Sequence, residues 1–328
     1  MKGLRVAARA VYQAGAAVAA AVILLVLNFT IQPSILSAAN LGPLVAVASA
    51  FILISMAQAP ALLAGGGGVD LSVGPLAGLV AILIVQSGVT DVFLVIGLVV
   101  LVGATSGTLM GALIAYVRVP PIIATLGAFL FYSGLALHLQ PIPGGRAPTW
   151  LSALSGTVLG VPGMLFPLVG IAICWTALML TPYRRNLLAV GGDARAAFTS
   201  GVKVSLTRLI AYVLSGVLAA FAGLAFVAVL GSADANAAPS YTLVSLAGAA
   251  LGGVSMSGGR GSMLGAAAGG ATMFLIQNLL GLAQVSVFAL QVVFGAALIV
   301  ALALNSYADH RRRTGHLRSA RNGVRQQA

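Results

Sequence analysis

The sequence predicts an all-α polytopic membrane protein with about ten transmembrane helices and both termini in the cytoplasm. Three observations carry that prediction. Hydrophobic residues make up 60% of the 328-residue chain and charged residues only 7%, against roughly a quarter in an ordinary soluble domain. Apolar runs long enough to cross a bilayer recur along the whole chain, and its basic residues fall almost entirely in alternate breaks between those runs. Mean hydropathy is +1.07. Fifteen Arg, two Lys, five Asp and no Glu give a net charge of +12. So few charges could not cover the surface of a soluble protein of this length. A nucleic-acid partner would need a basic face on a folded polar surface, and the composition leaves hardly any such surface.

At about 20 residues per crossing, the chain has room for roughly ten helices and no second domain. Lys2, Arg5 and Arg9 precede an apolar run from Val11 to Leu27. That run is longer than a signal-peptide core and no cleavage site follows closely, which predicts an uncleaved first helix over 11–31. The next runs lie at 42–63 and 70–88, where Gly65 to Gly68 leave open a re-entrant break ahead of the second. Further runs follow at 92–117, 120–138, 163–181, 207–231, 240–256, 262–281 and 285–306. The organisation is therefore a cytoplasmic segment 1–10, a transmembrane domain 11–306 and a basic cytoplasmic tail 307–328.

Sidedness follows from the basic residues. With the N-terminus inside, 16 of the 17 Lys and Arg are inside and Arg146 alone is outside, as the positive-inside rule requires of ten crossings. The outside loop 139–162 holds Pro141, Pro143, Pro148, Pro162 and Trp150 and reads as an ordered, non-helical cap with an interfacial Trp. The inside loop 182–206 is the longest cytoplasmic connection. Gly191-Gly192 breaks it, Asp193 can cap, and Ala194 to Ser200 suits two helical turns ended by Gly201. A docking element held at the membrane face and an ordinary solvated loop fit this spacing equally.

Glycine is abundant at 41 residues. Gly103, Gly107 and Gly111 recur every four residues, as do Gly261, Gly265 and Gly269, and each set predicts a flat helix face for close packing. Two glycine-rich stretches echo each other, Gly65 to Pro75 (GGGGVDLSVGP) and Gly252 to Ser262 (GGVSMSGGRGS). Neither has the P-loop lysine, so the chain does not bind ATP by a P-loop. Asp70 in the first stretch reads as a cap or hinge at a helix start, or as a gate with Ser72 at the end of a path.

Catalytic signals are missing. Cys174 is the only cysteine, and two of the three histidines, His310 and His316, lie in the basic tail. A serine hydrolase would need a buried His beside its Ser, and His138 is at the opposite end of its span from Ser257. No catalytic residue, metal site or cofactor is expected in this chain. Ion-driven carriers usually hold charges inside the bundle; here only Asp70 is a candidate, which points to a path whose energy comes from another chain. The mid-span polar groups are neutral: Gln58, Thr105, Thr125, Gln277, Asn278 and Gln291. With Phe129 or Tyr132 nearby they suit a neutral polyhydroxylated solute, and inter-helix hydrogen bonds account for them as well. A stand-alone secondary transporter of a small neutral solute is the alternative.

Gly67 to Gly74 (GGVDLSVG), Arg118 to Gly127 (RVPPIIATLG), Val190 to Gly201 (VGGDARAAFTSG), Tyr212 to Gly223 (YVLSGVLAAFAG) and Leu251 to Gly265 (LGGVSMSGGRGSMLG) together resemble one family, the ribose-type permeases of bacterial ABC importers. The resemblance implies a ten-helix permease subunit in the bacterial inner (plasma) membrane, for a monosaccharide or sugar-like solute. It also implies a second permease subunit, usually a copy of the first, a cytoplasmic ABC ATPase that binds ATP and Mg, and a periplasmic solute-binding protein. Asp193 to Gly201 matches the segment that docks the ATPase, which makes Gly192, Asp193, Ala194, Arg195, Ala197, Ser200 and Gly201 the docking candidates. Arg195 and Ala196 stand where relatives often carry acids, and GGGGVD has one glycine more than usual. Gln58, Asp70, Ser72, Thr125, Phe129, Tyr132, Gln277 and Asn278 are the candidates for the path or its gate.

Overall fold

The computed structural model describes residues 2–286, 288–303 and 305, with side chains from Gly15 onward. The tail 307–328 and the side chains of Lys2, Arg5 and Arg9, on which part of the predicted sidedness rests, lie outside the described residues. The chain is helical almost throughout. In order it forms α1 (Lys2–Ile31), α2 (Ala38–Leu63), α3 (Val73–Gln86), α4 (Val92–Ala115), α5 (Pro121–Leu139), α6 (Trp150–Ser155), α7 (Leu165–Leu180), α8 (Pro182–Gly192), α9 (Ala194–Thr199), α10 (Val204–Leu230), α11 (Tyr241–Leu251) and α12 (Met263–Leu282), then α13 (Phe288–Ala303). Among the described residues, α2, α4, α5, α10 and α12 are each long and apolar enough to cross a membrane, and α7 with α8 passes the same test as a pair bent by 78°.

Local chemistry sets the ends. The Asp91 side chain accepts from the Leu94 N–H and starts α4; Pro121 begins α5, where its missing N–H costs nothing. Gly231, at φ +66°, ends α10 in the left-handed region. α2 and α10 form the centre of the bundle and are buried over most of their length, as helices apolar all round must be. α4 packs on α10 through Gly103, Gly107 and Gly111, where a methyl group would strike the backbone of Gly216, Tyr212 and Leu209. α12 meets α11 in the same way, Gly265 lying on Gly252 and Gly269 on Gly248.

Several expectations are corrected. The first helix, expected over 11–31, already begins at Lys2. The loop 139–162 is not wholly non-helical: it contains α6 and a short hairpin, β1 (Thr157–Val158) against β2 (Val161–Pro162). The loop 182–206 opens with α8, an 11-residue helix capped by the Thr181 side chain and begun by Pro182. Gly261 is not on the α12 face; at φ +122° it sits in the break before that helix, against Val254. Thr105 faces outward and bonds only to carbonyls of its own helix, and Gln291 is exposed.

The largest difference is in length. The runs at 70–88 and 240–256 hold helices of only 14 and 11 residues, α3 and α11. The open question about Gly65 to Gly68 is answered by a break: after α2 ends, the chain turns back into the bundle without helix through Ser72. A second non-helical stretch, Gly231 to Ala237, enters ahead of α11 from the other end, pinned there by the backbone pairing of Ala233 with Gly144. The two short helices begin next to each other. A methyl group at Gly74 would meet Thr242 Oγ1 and the Ala238 carbonyl, and the Tyr241 ring packs 5.2 Å from that of Phe51. Phe51 is about 18 Å along α2 from Leu63 at 1.5 Å per residue, so the meeting point lies deep in the bundle. α3 and α11 are thus half-length helices whose N-termini meet inside, a pattern found where a broken span lines a site.

Candidate functional site

Non-helical backbone inside a membrane protein must have its polar groups satisfied by protein. Val69, Asp70 and Leu71 show how. The Gln58 side-chain amide, from α2, donates to the Asp70 carbonyl (2.9 Å) and accepts from its N–H (3.0 Å). Thr242 Oγ1, from α11, donates to the Leu71 carbonyl at 3.2 Å. Thr125 on α5 shares its hydroxyl proton between the carbonyls of Pro121 (2.8 Å) and Val69 (3.3 Å). The carboxylate is held as well: Oδ1 accepts from the Ser72 N–H (3.0 Å) and Ser72 Oγ (2.6 Å), and Oδ2 from Ser215 Oγ on α10 (2.8 Å). Four helices therefore grip three consecutive residues. Asp70 is only 3% exposed. Its carboxyl group lies just ahead of the α3 N-terminus.

Of the eight path candidates, Gln58, Asp70, Ser72 and Thr125 are brought together here. Tyr132 sits on the same helix as Thr125, buried, with its hydroxyl 2.6 Å from Ser106 Oγ on α4. Phe129 lies on α5 but is only half-buried. Gln277 and Asn278 are elsewhere: Asn278 Nδ2 donates to Asn28 Oδ1 at 2.7 Å and joins α12 to α1. That pair is an inter-helix hydrogen bond and does not belong to the Asp70 cluster. Ser215 and Thr242 are members that the sequence reading missed. A buried aspartate demands donors, but the many Ser and Thr in apolar runs give no means of choosing between them.

The break that carries Asp70 begins at a second feature. Gly65, Gly191 and Gly258 meet backbone to backbone, each placed so that a methyl group would strike another of the three or the Leu63 carbonyl. Gly259 packs on Gly192 in the same manner, and its N–H donates to the Leu63 carbonyl at 3.1 Å. Three remote segments converge at this corner: the end of α2, the end of α8 and the break between α11 and α12. At this corner the two glycine-rich stretches singled out in the sequence are in contact.

The short helix predicted after Gly191-Gly192 is α9. Asp193 Oδ1 accepts from the N–H groups of Arg195 (2.9 Å) and Ala196 (3.0 Å), and Gly201 follows at φ +84°. Ala197 is buried against the protein, while Gly192, Asp193, Arg195 and Ser200 are exposed and Ala194 is half-buried. Phe198, which the sequence reading passed over, is 71% exposed at the tip. α9 is therefore a capped knob, joined through one residue to α8 and the glycine corner.

The comparisons agree on one family. The model for "branched-chain amino acid transport system / permease component" matches residues 44–302. The chain is 34% identical over 291 residues to the ribose import permease protein of Bacillus subtilis, covering 86% of this chain and 89% of that one. It is 32% identical over 274 residues to the D-allose transport system permease protein of Escherichia coli, covering 81% and 83%. It is 30% identical over 276 residues to the autoinducer 2 import system permease protein of Photorhabdus laumondii, covering 80% and 82%. No solved structure matches the chain. With a family model matched over most of its length, and permease relatives aligned over about four fifths or more of both chains, this multi-pass membrane protein belongs to the ribose-type (monosaccharide) permease family of ABC importers.

Proposed function

We propose that the chain is the transmembrane permease subunit of an ATP-driven importer for a monosaccharide or sugar-like solute, and that it forms the translocation path with a second permease subunit, usually a copy of itself. In this reading the chain crosses the bacterial inner membrane ten times, with both termini and the α8–α9 connection on the cytoplasmic side. A periplasmic binding protein delivers the solute, and a cytoplasmic ABC ATPase holds ATP and Mg. The relatives are named as permeases for ribose, D-allose and autoinducer 2, which supports small, hydroxyl-rich cargo.

The observation that carries the coupling is the position of α9. Its Asp193 cap and exposed Phe198 form a surface for a partner, and its base adjoins the glycine corner from which the Asp70 segment runs inward. A push on α9 would reach the buried segment through backbone alone. Inside, the chemistry is neutral except for Asp70, whose two carboxylate oxygens are already engaged by hydroxyl and amide donors. A path lined by neutral polar groups binds weakly enough to release what it carries.

The test is reconstitution. The permease co-expressed with its ATPase should co-purify with it, and ATP hydrolysis in vesicles should rise when loaded binding protein is added. Uptake by the permease alone, abolished by dissipating the proton or sodium gradient and unaffected by ATP depletion, would replace this reading with a secondary transporter.

A further inference from the structure

Between α7 and the body of the bundle runs a groove of about 490 Å3, inside the roughly 300–1,000 Å3 range typical of small-molecule sites. Its walls are apolar, with Ile52 and Met56 from α2, Val169, Ala172 and Trp175 from α7, and Ala267 from α12. α7 forms one whole side yet buries none of its own residues. At membrane depth, such an opening faces acyl chains.

One end of the groove is different. It meets the 78° bend between α7 and α8, and there the lining includes Arg184, its only charged residue, with Gly261 and Ser262. Arg184 lies in the first turn of α8, and Ser262 caps α12 by accepting from the Gly265 N–H at 3.0 Å. The guanidinium of Arg184 and the capped start of α12 therefore line the same end of the groove. The described aspartates are engaged elsewhere: Asp91 and Asp193 as helix caps, Asp70 inside the bundle and Asp234 on the Asn236 N–H of its own loop. No carboxylate among the described residues neutralises this corner.

We propose that the groove is a site for one anionic glycerophospholipid, with an acyl chain along α7 and its phosphate on Arg184. The apolar walls alone would take any acyl chain; the cationic corner at the membrane–water boundary selects an anionic head group, as basic pockets between transmembrane helices do. A second copy of the chain is the competing occupant, and the test separates the two. The site requires only that the chain sits in a bilayer, and the assignment of the lipid to the cytoplasmic leaflet rests on the orientation proposed above.

The purified, delipidated transporter would be titrated with dioleoylphosphatidylglycerol and, in parallel, dioleoylphosphatidylcholine, and bound lipid counted by native mass spectrometry. One phosphatidylglycerol per permease chain should survive collisional activation that strips phosphatidylcholine. Arg184→Gln should weaken that binding about five- to tenfold, Ala172→Trp should abolish it by filling the groove, and Arg146→Gln should leave it unchanged. Equal retention of the two lipids, or an Arg184→Gln variant that binds phosphatidylglycerol like the parent, overturns the proposal. So does an inter-chain disulfide at Thr176→Cys in a Cys174→Ser background, which would show a second copy seated in the groove. ATP hydrolysis stimulated by binding protein, read on the same preparations, reports separately on the transport reading.

Discussion

Ser215 Oγ donates to Asp70 Oδ2 at 2.8 Å, joining residues 145 apart in sequence inside the bundle. The bond ties the middle of α10 to a segment with no helix of its own, and with Gln58 and Thr242 it decides where α3 begins.

Removing the donor leaves a buried carboxylate oxygen unsatisfied, at a cost of about 1–3 kcal/mol. Ser215→Ala should lower the thermal midpoint of the detergent-purified protein accordingly. Adding Asp70→Asn should cost less in the Ser215→Ala background than in the parent, because the two side chains share one network. Strictly additive midpoints would show that the bond contributes nothing.

Gln58 makes two bonds to the Asp70 backbone, one accepted and one donated. Glu cannot supply the donor when ionised and Leu supplies neither group. Both Gln58→Leu and Gln58→Glu should therefore destabilise by roughly 1–3 kcal/mol for each backbone group orphaned. Slow hydrogen exchange at Asp70 N–H should be lost in Gln58→Leu, and retained protection there would contradict the arrangement.

The two neighbouring glycines at the end of α8 should behave oppositely. A methyl group at Gly191 falls on the Leu63 carbonyl and on Gly259, whereas one at Gly192 meets nothing within 4 Å. Gly192→Ala should stay within about 0.5 kcal/mol of the parent, as open sites do. Gly191→Ala should break the corner and lose coupled transport, while binding-protein-independent ATP hydrolysis by the bound ATPase persists. Equal behaviour of the two variants would refute the close approach.

For α9, the cap and the knob can be separated. Asp193→Ala should destabilise the short helix by about 0.5–2 kcal/mol, and Asp193→Asn should largely preserve it. Phe198→Ala, at an exposed tip, should leave the thermal midpoint unchanged but weaken co-purification of the ATPase. A Phe198→Ala variant that retains the ATPase and transports at the parental rate would remove Phe198 from the docking surface.

Hydropathy located the long helices because a crossing must be apolar wherever it lies, so α2, α4, α5, α10 and α12 are close to where the runs predict them. It left a break open at Gly65 to Gly68 but could not show that the runs at 70–88 and 240–256 hold half-length helices, because hydropathy does not distinguish helical from non-helical backbone within an apolar run. α8 escaped because Arg184, Arg185 and Asn186 make its first turns polar, and polarity after a span reads as loop. The site was half legible. Asp70 and Gln58 stand out as polar residues in apolar surroundings, and so does Asn278, which the same signal placed at the site although it pairs with Asn28. Sequence shows that a buried polar group needs a partner without showing which one it has.

The contact between Gly65, Gly191 and Gly258 also has a mechanical meaning. Where side chains meet, rotamers can give, and a small displacement dies out within a residue or two. Where main chain lies directly on main chain, nothing compliant stands between the parts, and the joint is stiff. Wear in such a joint cannot be taken up by repacking, so the substitutions it can accept are few, and its fit has to be kept by all three segments at once.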